Sequence, residues 1–441
     1  MHSGAYLLLA FLLAAPAWSQ VVPGATGGSS GDDSQMMIPP PVSGQAYPSG
    51  VGGSERSNYL RAGLTFSTSY VDNLYAGGTS PIGETTYSIL PSIAYDQVTP
   101  RQHLTWNYSP GFTFYEPSSV LNDTDQNLIA SYLYRLTEHL NVTASDSFER
   151  SSTLFSAASS SGGEISGAPP PVTPGIVAPF AERLDNTAQG QLSLQLSRMS
   201  MVGVSGDFSK LSYPNPTEST GLYDSDEHGI GGFFNRSISA TQYLGVNYRF
   251  SQVDSYLQGA DSQTLTHSIY IFFTIAPKHS LSFSVSGGPQ HYALEQSGLP
   301  TAGSWGPIVT ASMGWQQART NLAVSYSREV TGGGGLLGVF KSTSASASAQ
   351  WQISREWSVG AGANYAINKS ITPLEFASTQ GGHTVSGSAT LRRPIRQQLE
   401  MRFEYDRLHQ SYGGVQAIAS NPNSNRELVS LTWQFTRPLG R

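Results

Sequence analysis

The chain has 441 residues, with 24 Lys and Arg against 30 Asp and Glu, a net charge of -6 and only 12% charged residues. That balance argues against a nucleic-acid partner, and the absence of cysteine excludes both a disulfide-stapled fold and a lipidated cysteine anchor. Aromatics reach 11%, led by 22 Tyr, beside 46 Gly, which favours many strands joined by turns over a helical bundle.

The first residues read as an address. "AYLLLAFLLAAPAW" has the length of a signal-peptide core, and Ala17-Trp18-Ser19 follows as a small-x-small cleavage pattern. Residues 1–19 are therefore expected to be a signal peptide, because the apolar run is too short to span a bilayer. Residues 20–57 are rich in Gly, Ser and Pro with little to bury, and are expected to form a flexible periplasmic segment.

From residue 58 the pattern changes. Short turns are expected near Pro100-Arg101, Glu138-His139, Arg198-Met199, Ser239-Ala240, Lys278-His279, Ala318-Arg319, Arg355-Glu356 and Pro394-Ile395. Their spacing is 37 to 41 residues, except for one interval of 60 that contains "SAASSSGGEISGAPPPVTPGIVAPF". A fixed period of this kind marks a repeat of structure. Within each period lie two runs of strict alternation. "HLTWNYSPGFTF" sets Leu104, Trp106, Tyr108, Phe112 and Phe114 on one face. "KSTSASASAQWQI" sets Ala345, Ala347, Ala349, Trp351 and Ile353 against Ser344, Ser346, Ser348, Gln350 and Gln352. Such runs are strands with one apolar and one wet face.

Eight turns join sixteen strands, and one more strand at each end gives about eighteen. The runs are long for a globular sheet and suit strands that cross a bilayer. The expected fold is all-β: a transmembrane up-and-down antiparallel β-barrel over 58–437, with short periplasmic turns and longer outer loops. The Pro-rich segment 156–186 would be a long outer loop, and 438–441 a C-terminal tail. A secreted β-propeller shares the period, but its blades need turns about every ten residues and bury both sheet faces. Tryptophan agrees with the barrel. Trp106, Trp315, Trp351, Trp357 and Trp433 lie near a short turn or the C-terminal end, and Trp305 lies at the opposite end of its strand. Indole rings collect at the two membrane interfaces.

Pro91 and Pro110 each interrupt an alternating run and each stand nine residues from the Pro100-Arg101 turn. They are expected to face each other, with a bend or bulge there. Asp146 falls on the apolar parity of "LNVTASDSF", and a bulge that turns it inward is expected.

The final strand, "LVSLTWQF", alternates and ends on an aromatic. It resembles the assembly signal of bacterial outer-membrane proteins, although "TRPLGR" follows where that family usually stops. More narrowly, "YVDNLY", "YSILPSIAYD" and "LIASYLYRLTEHLNVTASDSFER" resemble segments of the outer-membrane β-barrel porins associated with exopolysaccharide-type loci. That resemblance implies a porin-like or export-channel role, without catalytic residues to carry over.

Other motifs carry less. Gly27-Gly28-Ser29-Ser30-Gly31 fits a nucleophile pattern, but in the linker. Gly333, Gly335 and Gly338 fit a phosphate-loop pattern, but a strand follows. "DSDEHG" at 224–229 matches no known calcium loop and reads as a solvated loop. Neither a catalytic set, a metal site nor a cofactor site is expected.

The polar parity places Arg61, Arg135, Asp207, Arg249, Glu400, Arg402, Glu404 and Asp406 inside the barrel, as pore-lining candidates. A barrel of this size leaves an aqueous channel. The function expected is passive passage of small hydrophilic solutes or of a saccharide chain through the outer membrane. The alternatives are a structural or adhesive barrel plugged by its own loops, or an embedded enzyme acting on lipid or polysaccharide. The expected partners are outer-membrane lipid and lipopolysaccharide, the outer-membrane assembly machinery, and the solute or polysaccharide.

Overall fold

A computed structural model describes residues 58–74, 81–151, 181–215, 221–256, 262–278, 280–296, 300–332, 339–371, 381–413 and 423–438. The strands are β1 (Tyr59–Val71), β2 (Glu84–Val98), β3 (Gln102–Glu116), β4 (Asp123–Arg135), β5 (Leu140–Ser151) and β6 (Arg183–Ser197). They continue as β7 (Ser200–Ser212), β8 (Asp224–Ser239), β9 (Gln242–Tyr256), β10 (Ser262–Lys278), β11 (Leu281–Gln296) and β12 (Ala302–Gln317). The last six are β13 (Thr320–Gly332), β14 (Val339–Gln352), β15 (Ser358–Ser370), β16 (Gly381–Arg396), β17 (Leu399–Gly413) and β18 (Asn423–Pro438). The one helical element among the described residues is a 3₁₀ turn, Ser119–Leu121.

All eighteen strands form one sheet in which each pairs antiparallel with the next. β18 pairs with β1 from Tyr59↔Pro438 to Val71↔Arg426, so the sheet closes into a barrel. Closure removes the unpaired edge that an open sheet of this length would present. One end carries the short turns. The other carries the longer connections, including 72–83, 152–182, 213–223, 371–380 and 414–422.

Some boundaries differ from the sequence reading. The last short turn is at Gln397-Gln398, not Pro394-Ile395, because β16 continues through a register shift between Pro394 and Arg396. Residues 183–186, expected in the long outer loop, instead open β6. Residues 1–57, 152–180 and 439–441, which hold the expected signal peptide, linker, most of the Pro-rich loop and most of the tail, lie outside the described residues. So does the Gly333–Gly338 motif.

Cross-strand partners share a face, so the register assigns every side chain to one side of the wall. The outer face reads Phe66, Ile89, Phe112, Leu192, Val204, Ile230, Ile271, Val285, Leu431 and their neighbours, and Ile230 is 62% exposed there. The inner face is mostly Ser, Thr, Asn and Gln, with a few buried apolar side chains such as Met201, Phe233 and Phe272; Ser325 with Ser346, Ser327 with Ser344, and Ser286 with Thr310 are hydroxyl pairs at 2.6 Å. Trp315 and Trp305 stand on the outer face of the same strand, ten residues apart.

Two expectations about this wall are overturned. Asp146 is not turned inward. The β4–β5 and β5–β6 ladders carry it without a register shift, opposite Ala130 and Ala188 on the outer face. "DSDEHG" is not a loop but the start of β8. Its carboxylates therefore alternate sides, with Asp226 outward and Glu227 inward.

The wall is not uniform. The β12–β13 ladder stops at Val309↔Arg328, although both strands run on. Above that point β13 turns inward. The Gln290 side chain donates to the Val330 carbonyl at 3.0 Å and accepts from the Val330 N–H at 2.7 Å. The Val330 side chain, outward by parity, packs on the inner-face residues Leu294 and Tyr292. As a result β13 comes within 8 Å, Cα to Cα, of β9, four strands away.

Candidate functional site

The eight residues assigned inward by parity all fall on the inner face. Arg61, Arg135 and Glu400 lie near the short-turn mouth, paired with Thr436, Asn141 and Thr432. The other five belong to two charged arrays.

The first array spans β7–β9. Arg249 Nη2 donates to Asp207 Oδ2 at 2.7 Å and to Glu227 Oε1 at 2.8 Å, while its Nε reaches Asp207 Oδ1 at 3.4 Å. The planar fork of a guanidinium suits this two-carboxylate clamp. Asp207 leans over its cross-strand partner Gly229, where a Cβ would collide with the carboxylate. The inward turn of β13 brings Glu329 into electrostatic reach of Arg249 and Glu227. The array thus holds three carboxylates to one guanidinium.

The second array spans β16–β18. Arg426 donates to Asp406 Oδ2 at 2.7 and 2.9 Å and to Glu404 Oε1 at 3.2 Å. Arg402 completes the group through an ion pair with Glu404. Arg392 is the cross-strand partner of Arg402. Here three guanidinium groups meet two carboxylates, and Glu404 and Asp406 are 6% and 1% exposed. In an eighteen-strand ring, β8 and β17 are half a circuit apart. The acid-rich and base-rich arrays therefore stand on opposite sides of the interior.

Glu227, Glu329 and Arg426 were not among the sequence candidates. Glu227 was hidden by the reading of "DSDEHG" as a loop, and Arg426 by starting the last strand at Leu428. Glu329 carried the inward parity of "NLAVSYSREV", but its role depends on the turn of β13, which the alternation does not record.

Toward the long-loop end the interior narrows. Ala181, Leu211, Tyr213 and Leu222 form one buried apolar cluster with Phe340 and Tyr412, which come from strands that are not their neighbours in the sheet. Phe340 is fully buried. Burial pushes the Tyr213 hydroxyl up to about 12, so this ring stays neutral and serves the cluster as an apolar group.

These features define a closed eighteen-stranded antiparallel barrel with an apolar exterior and a polar, charged interior. The chain is similar to OccK2 of Pseudomonas aeruginosa at 10% identity, over 86% of this chain and 98% of that one, with a TM-score of 0.41. It is similar to OccAB4 of Acinetobacter baumannii at 9% identity, over 87% and 99%, with a TM-score of 0.40. The ferric-catecholate import receptor Fiu of E. coli K12 is similar at 8% identity, over 86% and 82%, with a TM-score of 0.41. No family model and no curated protein matches the chain.

Proposed function

We propose that this barrel sits in the outer membrane and lets small hydrophilic solutes pass passively. The observation that carries the reading is the opposition of the two faces. Outside, apolar side chains fill the span between Trp305 and Trp315. Ten residues of strand run about 33 Å, and with a tilt of about 40° they rise about 25 Å, the height of an outer-membrane apolar band. Inside, hydroxyls, amides and the two charged arrays offer a hydrated path.

The acid-rich and base-rich arrays set a field across that path, which favours solutes by charge and dipole. The solute class includes saccharides, in keeping with the likeness of "YSILPSIAYD" and its companion segments to porins of exopolysaccharide-type loci. The strand "LVSLTWQF" would engage the assembly machinery. The reading is of transport rather than catalysis.

The apolar cluster around Phe340 favours a second reading, a barrel closed at its long-loop mouth. Single-channel recording of the refolded protein in planar bilayers separates the two. Discrete, ion-selective conductance steps are expected. A protein that shows heat-modifiable gel mobility but never conducts is a plugged barrel.

A further inference from the structure

The outer face of β13–β15 ends in an unusual way at the long-loop side. Outward residues on β14 run Trp351, Ala349, Ala347, Ala345, Thr343 and then Lys341. On β15 they run Val359, Ala361, Ala363, Tyr365, Ile367 and then Lys369. Lys341 and Lys369 are direct cross-strand partners. Like charges placed directly opposite destabilise a sheet, so this pair is costly unless something anionic covers it. Arg328 lies on the same face of β13, opposite Thr343, where β12 and β13 part.

None of these three cations is in an ion pair among the described residues, and the buried Arg328 Nε has no hydrogen-bond partner there. Two rim cations elsewhere on the outer face are paired. Lys210 stands 3.9 Å from Asp226, and Arg150 is paired with Glu182. The departure of β13 frees the upper stretch of β12, which presents Trp305, 69% exposed, beside the fork.

The level of these cations follows from the same strand geometry. Lys341 lies ten residues above Trp351, and Lys369 ten above Val359. That separation again rises about 25 Å, which puts both ammonium groups at the headgroup level of the opposite leaflet. Arg328 is one step lower, within reach of the same level by snorkelling.

We propose that this fork binds the phosphorylated headgroup of an outer-leaflet glycolipid of the lipid A type, with Arg328, Lys341 and Lys369 holding its phosphates and Trp305 flanking them. The inference rests on the outer-membrane reading. The three cations span three strands, or about 10 Å across two interstrand spacings. That exceeds one phosphate and fits a headgroup with two. Longer connections face outward in barrels of this class, which sets the site in the leaflet where such glycolipids reside.

The test uses the full chain in detergent micelles with bisphosphorylated lipid A, monophosphorylated lipid A or phosphatidylglycerol as probe. Bound lipid is counted by mass spectrometry of the intact complex, and heat-modifiable gel mobility is read on the same samples. The wild type and Lys210→Gln should retain bisphosphorylated lipid A, and the triple variant Arg328→Gln/Lys341→Gln/Lys369→Gln should retain at least tenfold less. All three should keep the folded mobility. Equal retention by the triple variant overturns the site, as does equal binding of phosphatidylglycerol. A folded wild type that retains no lipid A overturns the site alone. A wild type that shows no folded form in any micelle overturns the membrane reading along with it.

Discussion

Pro91 stands directly opposite Pro110 across the β2–β3 hairpin. Pairing keeps one register on both sides of them, from Ile89↔Phe112 to Ile93↔Tyr108, and lapses only between. The ladders from β1 to β2 and from β3 to β4 run unbroken through both prolines. In an antiparallel pair a residue's N–H and C=O point to the same neighbour, so the two missing donors point at each other and the damage stays in one ladder. The register does not shift there, so the bulge, one of the two expected forms of irregularity, is absent. A second facing pair, Pro289↔Pro307, is of the opposite kind. The β11–β12 ladder passes through it, and pairing lapses instead between β10 and β11. Pro307 turns its missing donor toward the stretch that β13 has left.

The first pair yields a measurement. Pro91→Val with Pro110→Val should restore two ladder bonds, each worth about 0.5–1.5 kcal/mol. Part of that gain is offset by the greater freedom of the unfolded chain. The new amides at 91 and 110 should be protected from hydrogen exchange in micelles. Free exchange at both would show that the donors do not face a partner strand.

The alternation of the last strand gives a paired substitution. Leu431 is outward, between Phe66 and Met401, whereas Thr432 is inward, between Thr65 and Glu400. Leu431→Arg should cost about 2–4 kcal/mol if it meets the bilayer midplane and lower the folded yield. Thr432→Arg should be tolerated beside Glu400. Equal yields from the two variants would contradict the two-faced wall.

Arg249 offers a readout of both stability and selectivity. Arg249→Met leaves Asp207, Glu227 and Glu329 without their shared partner, and breaking such a half-buried ion cluster costs about 3–5 kcal/mol. In protein that folds, the reversal potential in a salt gradient should move toward cation preference. An unchanged reversal potential would remove the β7–β9 array from the conduction path. Phe340→Ala, which cuts the link across the long-loop mouth, should raise single-channel conductance. A conductance equal to that of the wild type would place the narrowest point elsewhere.

Strand number, facing and the inward set were legible because a period of two is written into every segment, and a closed barrel leaves few other ways to satisfy it. Arg61, Arg402 and Glu404 needed nothing more than the alternation of their own strands. The clamp on Arg249 was not legible in the same way. It needs Glu227 from a strand that looked like a loop, and Glu329 from a strand that bends inward through the side chain of Gln290. Alternation gives the face of a residue but is blind to the path of the strand. For the same reason the sequence showed Arg328, Lys341 and Lys369 as scattered cations, and only the cross-strand register joined them.

At Asp146 the plain alternation gives the right face, and the bulge expected there does not form. Its parity is that of Leu140, Val142, Ala144 and Phe148, and the register keeps it outward with them. The Asn186 amide donates to its Oδ1 at 3.2 Å, and small neighbours, Ala130 and Ala188, flank it. Asp146 is six residues above the first residue of β5, or about 15 Å up at the same rise and tilt, near the middle of the apolar band. A carboxylate there is unfavourable, though less so than a lipid-facing Arg or Lys. Asp146→Leu should therefore raise stability in micelles by about 1 kcal/mol, while Asn186→Leu alone should lower it by leaving the carboxylate without its donor. Together the two changes should be stabilising. A loss of folded yield on Asp146→Leu, with Asn186→Leu harmless, would mean that the outward carboxylate meets a polar partner rather than lipid at this level.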